Sequence, residues 1–305
     1  MFPRTAPSVW PRASSRSCTA LRSEIGFLIK ASRPGFYLTA MWFYLLPLGP
    51  HLPWRSPAFW LGLFYVGFPL GMLLYAANDI NDAHTDRLNP RKDSWLFGAR
   101  PDAVQIAALP LRITLVQLPF LIGFCALLGP RALGWFGVAT LSTFLYNAPK
   151  WGAKDRAGFD VLSQAGYLGV FVLSCWLNDL PLAPWPIWVF GALFAGHSHL
   201  FGQIMDIAPD AAAKRRTTAV TIGAVRSKWL IVALLLVEVA LAARIEDKPW
   251  LAPALFLAAI GFALDASVLW REKPYPTLLI FAFFLGWNAV LLGEIGLSWL
   301  LQLSN

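Results

Sequence analysis

The chain has 305 residues, 57% of them hydrophobic and only 14% charged, with 15 tryptophans and a net charge of +8. Soluble domains carry about 45–50% apolar and about 25% charged residues, so this balance excludes an ordinary soluble protein and indicates a polytopic membrane protein. Three scattered cysteines, Cys18, Cys125 and Cys175, exclude a metal–thiolate site or a disulfide framework, and the positive charge reads as loop bias rather than nucleic-acid binding.

Residues 1–29 form a basic N-terminal tail, expected to be disordered. Four arginines and five serines precede its first acid, Glu24, a composition also found in transit peptides. From 30 to 305 the chain reads as one all-α transmembrane domain. A spanning helix needs about 17–25 mostly apolar residues. Nine segments qualify: 34–50, 58–78, 107–128, 131–147, 160–177, 184–205, 228–244, 250–270 and 276–301. With the N-terminus on the cytoplasmic side, 21 of the 25 Lys and Arg fall inside and only Arg55, Arg131, Arg244 and Lys248 fall outside. That asymmetry favours an odd number of crossings.

The second segment ends in "NDINDAHTD". Tyr75, Asp79, Asp82 and Asp86 follow a 4-3-4 spacing, which keeps them on one narrow helical stripe. The sixth ends in "HLFGQIMDIAPD", where His199, Gln203, Asp206 and Asp210 repeat that spacing. Two acid-tipped helices in equivalent positions suggest a duplicated unit and, more strongly, a shared task. Five half-buried, unpaired carboxylates would cost about 5–15 kcal/mol, so something must compensate them. Pairing with neighbouring Arg87, Arg91 and Lys92 is the plain answer for one cluster. For two, Mg²⁺ with a diphosphate between them fits better, because Mg²⁺ takes one or two carboxylates plus phosphate oxygens. Arg33, Lys150, Lys154 and Arg215 lie on the same side and could meet the diphosphate.

These motifs resemble those of the UbiA-type intramembrane prenyltransferases. "NDINDAHTD" is similar to the family's first Asp motif and "DIAPDAAAKRRTTAVTIG" to its second. "YNAPKWGAKDRAGFD" resembles the loop after the fourth helix, and "SRPGF" the start of the first. The resemblance covers residues 30 to 300. It implies nine helices around a central cavity open laterally to lipid, and transfer of an isoprenoid chain from an allylic prenyl diphosphate to a lipophilic acceptor. It further implies that Asn78, Asp82, Asp86, Asp206 and Asp210 hold Mg²⁺ and diphosphate, the four aspartates as metal ligands. Tyr146 would lie near the reacting carbon and Lys150 on the diphosphate, with Asp79 the variable member of the first motif. The run "NPRKDSWLFGAR" and the residues Ala211 and Lys214 depart from quinone-type members. "NPRK" and "DIAPDAAAKRRTTAV" look more like the carotenoid-prenylating, lycopene elongase-like branch than the ubiquinone or chlorophyll branches.

His199, on the second acid stripe, could serve the acceptor as a base or hydrogen-bond partner, and His197 stands beside it. Glu238, Asp265 and Glu294 also fall inside expected spans, but they match no motif. Paired intramembrane acids would also suit a cation-coupled transporter. Acids at helix ends beside basic loops favour phosphate chemistry instead.

Overall fold

The computed structural model describes residues 14–49, 52–149, 151–245, 248 and 250–303. Among them every regular element is helical, apart from one isolated bridge between Ser94 and Gly98. Helix α1 runs Ser14–Ala31 and α2 Tyr37–Leu45, continued by a 3₁₀ turn at Leu46–Leu48. Helices α3 (Pro57–Gly71) and α4 (Ala77–Asp86) are joined by a π-helical turn at Met72–Ala76 into one rod. Then come α5 (Ala103–Leu128) and α6 (Pro130–Asn147), linked by Gly129 alone. Helices α7 (Phe159–Leu162) and α8 (Gly169–Leu177) flank a 3₁₀ stretch, Ser163–Leu168. The chain closes with α9 (Trp185–Ala212), α10 (Thr218–Ile222), α11 (Ala224–Ala242), α12 (Leu251–Ser267) and α13 (Thr277–Leu303).

Each of the nine apolar segments coincides with helical structure in the described residues. Four stretches are long and apolar enough to cross a membrane: Pro57–Asp86, Ala103–Leu128, Phe159–Leu177 and Thr277–Leu297. The others fall short for local reasons. Helix α2 is brief, α12 has 17 residues, and α9 carries the polar stripe at its C-terminal end.

The basic tail differs from expectation. From Ser14 on it is helix α1, because "IGFLI" at 25–29 supplies an apolar face that the count of arginines and serines obscured. Phe27 and Leu28 pack against the core, and Glu24 pairs with Arg112 of α5 at 2.5 Å. Residues 1–13 lie outside the described residues.

Local chemistry sets the helix ends. Ser56 caps α3 through the Phe59 amide, with Pro57 at the first position, where its missing N–H costs nothing. Asp102 and Gln105 form a reciprocal capping box at the start of α5, satisfying two otherwise orphaned amides. The core is aromatic, with Trp42, Phe43, Phe171, Phe190 and Phe194 in mutual ring contact. Leucines and isoleucines along α5 and α13, such as Leu115, Ile122, Leu278 and Leu285, are exposed. Such faces are stable only against lipid or another apolar surface.

Candidate active site

Helix α3 meets α4 in a π turn, a feature that recurs at functional sites. Pro69, near the end of α3, lacks the N–H that would reach the Tyr65 carbonyl and so weakens the ladder just before this turn. The Pro69 carbonyl accepts the Met72 amide and also Gln117 Nε2 of α5 at 2.6 Å. The π turn rotates α4 about the rod axis relative to α3. Tyr75, Asn78, Asp82 and Asp86 line a cavity of about 360 Å³. Asp79 does not. It is fully buried beside the cavity and held by Lys92 at 2.6 Å and Arg33 at 3.1 Å.

Arg33 reaches this position through a left-handed backbone turn (φ +57°) between α1 and Pro34. Two glycines make room for it. A Cβ on Gly71 would sit 2.5 Å from the Ser32 carbonyl oxygen, and one on Gly98 would sit 3.1 Å from the Arg33 side chain. The Arg33 guanidinium lies over the Tyr75 ring at 4.8 Å. Burial opposes its charge, but Asp79 and Asp86 more than offset that and raise its pKa above the usual arginine value.

Across the cavity, α9 presents His199, Gln203, Asp206 and Asp210, all four lining the same space. The acids of both helices are matched by cations from the loops. Lys154, in the 3₁₀ turn after α6, contacts Asp82 at 2.5 Å, and Lys92 contacts Asp86 at 2.8 Å. Arg91 pairs with Asp206, which also accepts a hydrogen bond from Asn89 Nδ2 at 2.7 Å. Arg215 stands between the two motifs, 3.5 Å from Asp82 and 3.5 Å from Asp210, and 2.7 Å from Asp155. Burial works against its charge, yet Asp82, Asp210 and Asp155 together raise its pKa. The two acid clusters therefore face each other closely enough to share one guanidinium.

Behind the stripe sits Asp160, fully buried at the start of α7. It accepts from the Thr218 amide at 2.6 Å and from Gln203 Nε2 at 2.7 Å, fixing α9 and α10 to the loop that carries Lys154. Gln203 in turn meets His199 Nε2 at 3.0 Å, and the Tyr146 hydroxyl is 3.4 Å from that nitrogen.

Residues 36–289 match the UbiA prenyltransferase family. The chain belongs to that family. It is 26% identical over 260 residues to a lycopene elongase/hydratase of Corynebacterium glutamicum, covering 82% of this chain and 87% of the relative. With the lycopene elongase/hydratase of Halobacterium salinarum it shares 30% over 241 residues, covering 73% and 80%. Among solved structures, a UbiA homolog from Archaeoglobus fulgidus bound to GPP and Mg²⁺ superposes with a TM-score of 0.65 at 17% identity, covering 89% of this chain and 98% of the other. That likeness carries the all-helical UbiA fold. As a UbiA-family member the protein is an integral membrane prenyltransferase, and the transporter reading falls.

Of the residues expected for a UbiA site, Asn78, Asp82, Asp86, Asp206, Asp210, Tyr146, Arg33, Lys154, Arg215 and His199 all line the one cavity. Asp79 stands off it, and Lys150 lies outside the described residues. Sequence alone does not single out Asn89 or Asp160, and it marks Arg91 only as a neighbour of the first acids. The run "NPRK" stands out as a departure, but its contact with Asp206 spans more than a hundred residues and has no local signature.

Proposed function

We propose that this protein transfers an allylic prenyl group from its diphosphate to a lipophilic acceptor, with Mg²⁺ held between the two aspartate motifs. The observation that carries the reading is Arg215 reaching Asp82 and Asp210 at once. A gap bridged by one guanidinium matches a diphosphate and its metal in scale and chemistry.

The donor set suits Mg²⁺. Asp82, Asp86, Asp206 and Asp210 offer hard carboxylate oxygens around one cavity, and the buried Asn78 Oδ1 has no hydrogen-bond partner among the described residues. When bound, Mg²⁺ supplies charge neutralisation and orientation of the diphosphate. The rest is the work of the chain. Lys154, Arg215 and Arg33 stabilise the charge that grows on the departing diphosphate as the carbon–oxygen bond breaks. They are anchored to acids at one end, so little reorganisation is needed. Lys150 belongs to the same proposal by its place in the motif. Tyr146, above the acids and beside His199, offers a ring face to the allylic cation. Asp79 acts through Arg33 and Lys92, holding both cations at the cavity wall.

Beyond the polar mouth the cavity runs between Phe43, Phe194, Phe201, Phe284 and Trp287. Those walls suit an isoprenoid chain and an apolar acceptor. A carotenoid-like polyene is favoured over an aromatic or quinone precursor, because the matching relatives are named lycopene elongase/hydratase. Nine crossings, a cytoplasmic N-terminus in a cell or organelle inner membrane, and an opening of the cavity to lipid complete the reading. The charge asymmetry of the loops supports the orientation.

The test uses membranes supplied with dimethylallyl diphosphate and Mg²⁺. Asp82→Asn and Asp206→Asn, made separately, should each lower prenyl transfer by about 100-fold or more. Transfer at the unmodified rate in both variants would overturn the assignment. Lipid mass spectrometry of cells with and without the protein should reveal the acceptor as a species heavier by five-carbon units.

A further inference from the structure

Far from the aspartates, the same cavity holds a second titratable pair that the diphosphate chemistry leaves unused. His197 of α9 lines the cavity. Its Nδ1 lies 2.7 Å from Oε1 of Glu238 on α11. Glu238 is fully buried, and its second carboxylate oxygen has no partner among the described residues. A carboxylate in the apolar interior is costly, so a single contact to an imidazole is meagre compensation for a purely structural pair. The His197 Nε2 makes no hydrogen bond among the described residues and is not sealed from the cavity. With Glu238 ionised and accepting, Nδ1 carries the hydrogen and Nε2 is left with its lone pair.

The surroundings suit a transient cation. The Phe194 ring lies 5.1 Å from His197, with Trp287 stacked on Phe194 at 5.8 Å. His197 precedes Asp206 by nine residues, about 13 Å along the helix, which leaves space for the reacting carbons between diphosphate and imidazole.

We infer that His197, oriented by Glu238, is the base that accepts the proton released when prenyl transfer is completed. The inference rests on the prenyl-transfer reading above. Cleavage of the donor's carbon–oxygen bond sends its electron pair to diphosphate and leaves an allylic cation. A π pair of the acceptor forms the new carbon–carbon bond, and the positive charge passes to the acceptor. The charge ends when a neighbouring C–H bond gives its pair to a new double bond and its proton to Nε2. Where water adds instead, the oxygen forms the bond to carbon and Nε2 takes the proton of that water. Both routes leave an imidazolium against the Glu238 carboxylate, whose charge offsets the new one. His197 is then a catalytic residue and Glu238 a positioning residue.

The test uses the full-length protein in proteoliposomes with Mg²⁺, dimethylallyl diphosphate and lycopene as the polyene probe. Diphosphate release and prenylated product are measured separately. Product mass distinguishes proton loss from water addition. In His197→Gln and His197→Ala, diphosphate release should stay within about threefold of the unmodified enzyme while product falls by about 100-fold. Glu238→Gln should lower product less than either. Added imidazole should restore part of the product in His197→Ala and none in Asp82→Asn, a response that a packing role would not give. Product at the unmodified rate in His197→Gln overturns the inference alone, as does an equal fall of release and product in both His197 variants. An unmodified enzyme that releases no diphosphate sinks the reading of the aspartate site, and this inference with it.

Discussion

Asp79 and Asp82 sit three residues apart in one motif, yet the structure gives them different duties. Asp82 faces the cavity and meets Lys154 and Arg215. Asp79 is sealed away behind Arg33 and Lys92. Asp79→Asn should therefore leave prenyl-transfer activity about tenfold or more above that of Asp82→Asn, since it removes a support rather than a charge at the reacting end. Parallel assays of the two variants check this. The aspartates and the stripe of His199, Gln203, Asp206 and Asp210 were legible because helical periodicity is local. What periodicity could not resolve was the facing of the first motif. On an ideal helix Asp79 shares a stripe with Asp82 and Asp86; in the structure the cavity side of α4 is centred on Asp82, takes in Asn78 four residues earlier and leaves Asp79 at its edge. Asp160 was invisible for a different reason. A lone acid in an apolar segment announces nothing until the Thr218 amide and Gln203 are found around it.

Among the elements, the α3–α4 rod depends on a close approach to the turn that carries Arg33. Gly71 permits it, since a methyl group there would strike the Ser32 carbonyl at 2.5 Å. That neighbour is backbone and cannot swing aside. Gly71→Ala should cost about 1–3 kcal/mol of stability and reduce activity by displacing Arg33, both measurable by thermal unfolding in detergent and by transfer assay. Helix starts such as Pro57 after Ser56, and Asp102 with Gln105, could be read from capping chemistry. The helical part of the N-terminal segment could not. Its arginines and serines dominate the composition, while its anchoring depends on Phe27, Leu28 and the Glu24–Arg112 pair.

At the scale of the whole molecule, composition alone separated a membrane protein from a soluble one, and loop charge supports the proposed orientation. The proposed nine crossings from a cytoplasmic N-terminus would leave the C-terminus outside. A reporter active only beyond the cytoplasm, fused after Asn305, should therefore be active; a silent one would require an even number of crossings. The loops that carry this charge asymmetry also supply the cations seated on the aspartates. Arg91, Lys92, Lys154 and Arg215 neutralise the mouth from within. On the proposed Mg²⁺ reading, folding and metal loading are thereby uncoupled, unlike in proteins whose ligand sets repel each other until an ion arrives. Chelation with EDTA should silence the enzyme yet hardly move its melting temperature, and dialysis against Mg²⁺ should bring activity back. On that reading such a protein can be made, inserted and stored bare, its ion arriving together with the substrate.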